Sequence, residues 1–355
     1  MFSKMYKKED LKDVKHIGVI MFGLLGDVIL RTPVTAALKD LYPNATITCI
    51  VDPIGADVLE NNNDVDNIIV INRKKESNKF TQNIKKIKTI LRVRSEKFDL
   101  LVNLYNSGLS RPIVFFSSAQ YKLGFCQQKN KYIYNVENIC DKERLKANQT
   151  LSLYMMSIVE PLSTKVYSLK PIFQIEESSR VDMLKYLQSF SIALEKMYIL
   201  NLGSGGTEKI LDNEKYFYIV EYMYKNYGYP PVIISNPGQE YLQENFINKY
   251  MNKSDIPFVR LKTLALKDIA ALLELSTFFV TPDTGLMHLA IALDKYIYTV
   301  FTYTHPVFVD PCNEKFISVY EKFDEGKLHQ KQEISEQTLK LNIELLINKL
   351  SSVNP

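Results

Sequence analysis

Residues 278–293, FFVTPDTGLMHLAIAL, leave few folds open to this chain. Phe278 to Val280 are apolar without alternation, as in a strand covered on both faces, and Pro282 stops that strand. Gly285, Leu286, Leu289, Ala290 and Leu293 then fall at helical spacing, so a helix is expected to begin near Thr284. Asp283 is left at the carboxyl end of the strand. A strand that turns directly into a helix is one step of a parallel α/β sheet, and such sheets bind ligands at the carboxyl ends of their strands. The first amides of the helix and the positive end of its dipole attract an anion there. The stretch reads as a phosphate seat.

The same step recurs on both sides of it. His16 to Phe22 reads as a strand running into Gly23-Leu24-Leu25-Gly26-Asp27, followed by a helix to about Leu41. Strands at 45–51, 67–71 and 98–104 then alternate with a short helix at 53–61 and a long basic one at 79–94, which carries Ile84, Ile87 and Leu91 on one face. The middle is less regular, with a strand at 120–124, a helix at 149–159 and a linker at 161–179. Alternation then resumes: helices at 180–190, 213–227 and 266–275 and from Glu240, with strands at 197–202, 231–235, 258–260 and 297–301. Leu339, Leu341, Ile343, Leu345, Leu346 and Leu350 mark a closing helix over 334–350. The pattern predicts an α/β protein of two Rossmann-like, doubly wound parallel-sheet domains facing across a cleft. The expected divisions are 1–165, 166–333 and a closing segment 334–355.

Composition narrows the partners. A net charge of +4 over 355 residues provides no polybasic block, which argues against a nucleic-acid binder. Cys49, Cys126, Cys140 and Cys312 form no C-x-x-C pair, so neither a zinc site nor a disulfide framework is expected. No apolar run approaches the length of a membrane span, and Asp27 interrupts any signal-peptide core. A cytoplasmic protein is the expectation.

Four clusters at strand ends carry chemistry. Gly23-x-x-Gly26-Asp27 offers close backbone approach and a carboxylate suited to general base work, or one that merely charges a helix N-terminus. Residues 201–209, NLGSGGTEK, form a glycine-rich turn whose amides and Lys209 suit a diphosphate, without the spacing of a P-loop. In 236–240, NPGQE, Glu240 is placed either to accept from a ribose or simply to start a helix. The fourth cluster is Asp283 to His288 with the Thr302-Tyr303-Thr304-His305-Pro306 turn; His288 reads as a phosphate or sugar contact, or as a core histidine with one hydrogen bond. His16 and His329 have no constellation around them and read as structural.

G-L-L-G-D-V-I-L-x-T-P-V near the N-terminus, the glycine-rich loop ending in Lys209, and D-T-G-L-M-H-L-A-x-A-L followed by T-x-P together resemble glycosyltransferase family 9, the ADP-heptose:lipopolysaccharide heptosyltransferases. The likeness runs over roughly residues 15 to 312. It implies a GT-B fold, with the acceptor held mainly by the N-terminal domain and the nucleotide sugar by the C-terminal one. It also implies an inverting, metal-independent transfer with Asp27 as general base. Gly26, Ser204, Lys209, Glu240, Asp283, Thr284, Gly285 and His288 would bind the donor, with ADP-heptose as co-substrate and no cofactor or metal. The acceptor would be a lipid-linked glycan or oligosaccharide such as the lipopolysaccharide core, met at the cytoplasmic face of the inner membrane. The basic helix 79–94 would face anionic lipid or an acceptor phosphate, or else simply be solvated.

The chain departs from the family at three places: Met21 stands where Lys or Arg is common, Leu211-Asp212 replaces Trp-Pro, and Thr302 to Pro306 replaces G-P-T-[DS]-P. Other readings are another nucleotide-sugar donor serving O-antigen, capsule or glycoprotein, an epimerase of the same shape, and a nucleotide-sugar binding protein without turnover. A nicotinamide dehydrogenase is disfavoured, since the full glycine fingerprint and its following acid are missing.

Overall fold

The computed structural model describes residues 4–74, 76–125, 132–136, 150–190 and 193–353; Cys126, Cys140 and Gln149 lie outside them. The chain divides into two compact units, Met1–Phe173 and Gln174–Pro355.

In the first unit, β1 (His16–Ile20) is followed by α1 (Leu25–Ile29), α2 (Thr32–Leu41), β2 (Thr46–Val51), α3 (Pro53–Leu59), β3 (Asn67–Val70) and α4 (Lys79–Ser95). β4 (Leu100–Asn103), α5 (Ser110–Phe116), β5 (Tyr121–Gly124) and α6 (Leu151–Met156) complete it. The strands are parallel in the order β3-β2-β1-β4-β5, with Ile17 opposite both Ile47 and Leu100. β1 is the central strand. Helices cover both faces of such a sheet, which is why Ile17, Val19 and Ile20 are all buried although they point to alternate sides.

The single helix expected after Asp27 is two. Pro33 stands in the first turn of α2, and a proline ring there cannot follow an unbroken helix because it lacks an amide and crowds the carbonyl four residues back. The hydroxyl of Thr32 donates to the freed Ile29 carbonyl at 2.8 Å. α5 was not foreseen. Its seven residues include Pro112, and its four apolar residues, Ile113 to Phe116, are consecutive and show no helical period.

The second unit holds α7 (Glu177–Gln188), β6 (Tyr198–Asn201), α8 (Asn213–Tyr227), β7 (Pro231–Ile234), α9 (Glu240–Lys249), β8 (Val259–Arg260) and α10 (Leu266–Leu275). β9 (Phe278–Pro282), α11 (Gly285–Ala292), β10 (Tyr296–Val300), β11 (Phe316–Val319) and α12 (Glu336–Val353) follow. Its six strands are parallel in the order β11-β10-β9-β6-β7-β8. β11 is an unforeseen edge strand, four residues being too short to show alternation. Tyr198, Phe278 and Tyr298 fill the core, where α12 contributes Leu339, Ile343 and Leu346. The Tyr298 hydroxyl donates to the Leu339 carbonyl at 2.9 Å, tying that helix to the sheet. Leu341 and Leu345 face outward.

Each sheet has one point where strand order reverses, between β1 and β4 in the first unit and between β6 and β9 in the second. Adjacent connections leave to opposite faces there and open a crevice at the carboxyl ends. Among the described residues no helix is long and apolar enough to cross a membrane, and no three His, Cys, Asp or Glu side chains group as metal ligands would.

Candidate functional site

The reversal point of the second unit is built from the loop after β6 and the turn after β9. Asn201, buried at the end of β6, accepts from the Gly203 amide and donates to the Gly203 carbonyl, both at 3.0 Å, and also donates to the Thr281 hydroxyl at 3.1 Å. One side chain thus folds the loop and fastens it to β9. A Cβ on Gly203 would lie 2.6 Å from the Asn236 amide nitrogen, so only glycine lets the two loops approach. Gln239 braces the same loop by donating to the Ser204 carbonyl at 2.9 Å.

This frame brings Ser204, Lys209 and Asp283 together. The buried Ser204 hydroxyl donates to the Asp283 carbonyl at 3.0 Å. Lys209 closes a short 3-10 turn, Thr207–Lys209, and its Nζ lies 2.7 Å from Asp283 Oδ2. Thr302 holds that turn through its hydroxyl, which donates to the Glu208 carbonyl at 2.9 Å. An ammonium has three donors, so Lys209 keeps two for an incoming oxyanion. Thr284 is the N-cap of α11, with extended backbone and no side-chain bond to the first-turn amides. Gly285 opens the helix, and His288 is buried one turn in. Together these groups make a candidate anion site: a lysine held by an aspartate, beside the amino end of a helix.

Glu240 sits at the mouth of the neighbouring β7–α9 connection. Its carboxylate accepts from the Thr263 hydroxyl and, at 3.2 Å, from the Gly238 amide, and these donors, the threonine first, hold its pKa below the usual glutamate range. Gly238 has a φ of +79°, a left-handed conformation that glycine adopts without strain. Gln239, next in sequence, links this turn to Ser204.

The reversal point of the first unit holds Gly26 and Asp27 on α1. Asp27 Oδ2 accepts from the Leu24 amide at 2.9 Å, and its Oδ1 lies 3.7 Å from Nη2 of the buried Arg31. The Asp27 side chain is 36% exposed, so solvent or a ligand reaches it. Arg31 donates to the Phe22 carbonyl at 2.6 Å. Burial lowers the Arg31 pKa from its ordinary value, and Asp27 acts in the opposite sense. Gly23, at a φ of +152°, packs against Asp27: a Cβ there would come 2.6 Å from the aspartate's own Cβ.

A second carboxylate anchors this loop. Asp52, at the end of β2, accepts from the Gly23 amide at 2.9 Å and from Arg73 through two bonds of 2.6 and 2.7 Å. The Arg73 guanidinium lies 4.9 Å from the Phe22 ring and 5.1 Å from the Tyr105 ring, with Arg31 5.5 Å from Tyr105. Its pKa is raised, chiefly by the bond to Asp52. Arg31, Asp52, Arg73 and Tyr105 escaped the sequence reading. A signal existed for two of them: Arg31 follows Asp27 by one helical turn, and Asp52 ends a strand.

Of the other histidines, His16 lies at the amino end of β1, away from both clusters, and His329 lies beside the turn after β10. His16 meets the Thr48 hydroxyl at 3.0 Å and packs on Phe98, while His329 stacks near Tyr303 and Phe308.

The glycosyltransferase family 9 (heptosyltransferase) model matches residues 87–339, well over half of the chain. Lipopolysaccharide heptosyltransferase 3 of Escherichia coli is 21% identical over 298 residues, covering 83% of this chain and 86% of the relative. Among solved structures, a family 9 glycosyl transferase from Veillonella parvula superposes with a TM-score of 0.78 at 20% identity, over 94% of this chain and 97% of the other. The E. coli ADP-heptose LPS heptosyltransferase II gives a TM-score of 0.75 at 19% identity, over 94% and 99%. These likenesses assign the GT-B fold. On the family match, this chain belongs to glycosyltransferase family 9, the heptosyltransferases.

Proposed function

We propose that the protein transfers a heptose from ADP-heptose to a saccharide acceptor of the lipopolysaccharide-core type, with inversion at the anomeric carbon and without a metal ion. The observation that carries this reading is the anion site of the second unit, where Lys209, held at 2.7 Å by Asp283, stands beside the amino end of α11. A sugar diphosphate gathers negative charge on its leaving oxygen as the glycosidic bond breaks. A preset ammonium and helix amides stabilise that charge most in the transition state, which is the requirement for catalysis rather than mere binding.

Asp27 takes the proton of the acceptor hydroxyl as that oxygen attacks the anomeric carbon from the face opposite the departing ADP. The bond from the Leu24 amide fixes one carboxylate oxygen and Arg31 orients the other, so the base keeps one direction. Glu240 accepts from the ribose, and Ser204, Thr284, Gly285 and His288 line the diphosphate and sugar. Gly26 lets the chain pass close to the donor. The heptosyltransferase names of the relatives support the sugar, and ADP-heptose is the donor that one solved neighbour's description names.

Calorimetry of the purified protein with ADP, UDP, GDP and ADP-heptose, with a chelator present, tests the donor. Selective binding of ADP and ADP-heptose is the expected result. Preference for UDP or GDP would replace the donor within the same fold, and failure to bind any of the four would overturn the reading.

A further inference from the structure

α4 turns its apolar stripe the wrong way for an ordinary surface helix. Its sequence, KFTQNIKKIKTILRVRS, contains six cations and no acid. Phe80, Ile84, Ile87 and Leu91 follow one another at spacings of four, three and four, which places them within roughly 60° of each other around the helix. In a globular protein such a stripe is buried. Here these side chains are 70%, 38%, 56% and 58% exposed, while α4 rests on its own unit through buried Val93 and half-buried Ile90.

The stripe has neighbours of the same character. Arg94 donates to the Phe116 carbonyl at 2.7 Å, and the Ser118 hydroxyl donates to the Arg94 carbonyl at 3.0 Å, so the end of α4 is clamped to the end of α5. Phe115 and Phe116, about half exposed, form an edge-to-face pair there with centroids 4.9 Å apart. Toward the edge strand β3, a groove of about 460 Å³ runs between Val70, Ile71, Ile84, Lys85, Lys88 and Arg92. Lys85 is paired with Glu76 at 2.7 Å. The +6 of this helix exceeds the +4 of the whole chain, so the rest of the molecule is net acidic.

We propose that α4, together with Phe115 and Phe116, docks this unit onto an anionic lipid bilayer surface. Phe80, Ile84, Ile87 and Leu91 enter the boundary between headgroups and acyl chains, while Lys79, Lys86, Lys88, Arg92 and Arg94 lie among the headgroups. An apolar stripe flanked by cations is the arrangement that holds a helix in the plane of a charged interface. Self-association through the same face is opposed by charge, because a two-fold contact would set six cations against six. The inference stands apart from the donor and acceptor assignments, since vesicle binding needs neither.

The chain has no tryptophan, so Ile87→Trp makes a single reporter in the stripe, and Leu341→Trp, at a position 57% exposed on α12, makes a matched control. With vesicles of phosphatidylglycerol and phosphatidylethanolamine at low salt, the Ile87→Trp emission should shift to the blue and the control should not. Phosphatidylcholine vesicles or high salt should abolish the shift. In flotation of proteins without tryptophan, Ile87→Glu/Leu91→Glu and Lys86→Gln/Lys88→Gln/Arg92→Gln should each lower partition onto the anionic vesicles by at least about tenfold. Far-UV circular dichroism checks that both variants fold; should either fail, the tryptophan reporter decides alone. No shift on anionic vesicles, or an equal shift for Leu341→Trp, would overturn the proposal. So would a dimer that Ile87→Glu/Leu91→Glu dissolves in a protein that never partitions onto vesicles.

Discussion

The two reversal points occupy corresponding places in their sheets and are furnished in opposite ways. Between β6 and β9 the loop is rich in glycine, one lysine is held by one aspartate, and a helix presents its amino end without a side-chain cap. Between β1 and β4 the charges are closed on one another: Arg73 grips Asp52 with two bonds, Arg31 leans on Asp27, and both guanidiniums stack near Tyr105. The first arrangement is a neutral pair that still leaves two ammonium N–H donors and the amino end of α11 for a ligand. The second spends its positive charge on shaping a loop around one accessible carboxylate. Sheet topology decides where polar groups can collect, and the side chains then decide whether the place takes up charge or positions a base.

The largest effect is expected at Asp27. Asp27→Asn should reduce turnover by about 10²–10⁴-fold, the range for a lost general base, while calorimetric ADP affinity stays as in the wild type. A parallel loss of both would mean that the two reversal points do not divide the labour in this way. Lys209→Ala comes next and should act on the other side of the division. Loss of a hydrogen bond to a charged group, about 1.5–3 kcal/mol, should weaken ADP binding roughly tenfold to a hundredfold, read by the same titration.

Arg73→Leu sharpens the contrast through stability. It leaves Asp52, with its side chain only 12% exposed, without its two-bond partner, and should cost about 1–3 kcal/mol in urea unfolding with ADP affinity unchanged. The smallest effect is expected at His305 in the loop after β10. Burial lowers its pKa below the ordinary histidine value of 6.5, and its Nδ1 accepts from the Val307 amide at 3.1 Å, a bond the neutral ring makes. The unfolded chain therefore binds this proton more readily. Stability is full above pH 6.5 and falls as the pH drops through that value toward the lowered one. His305→Asn, which retains an acceptor, should flatten the melting temperature between pH 7.5 and about 5.5 relative to wild type.

Much of the second unit was legible because its signals are local. Strand, proline stop and helical spacing follow one another within residues 278–293, and the glycine-rich turn lies directly after a strand. Ser204 and Lys209 in one cluster and Asp283 in another each fall at a strand end, the family resemblance joins them as one donor site, and the fold brings Lys209 and Asp283, 74 residues apart, and Ser204 into hydrogen-bond reach. The first unit was harder to read. Asp52 ends a strand and Arg73 lies in a charged stretch, but their partnership spans 21 residues and exists only once β2 and β3 pair. The division of the helix after Asp27 is signalled by Pro33, but the apolar spacing continues past it and hides the break.

The amino-acid order by itself determined the alternation of elements, the parallel sheets it implies, the charge on α4 and the family likeness. These depend on period, propensity and short motifs, which a chain carries whether or not it is folded. The tertiary structure alone decided which face of α4 meets the protein. The spacing of Phe80, Ile84, Ile87 and Leu91 says that they share a face but not where that face points, and burial depends on what the rest of the unit offers to pack against. It also decided that Arg31 and Arg73 would close around one loop of the first sheet, because bonds between distant residues form only when the crossing of strands and helices brings their side chains to the same end.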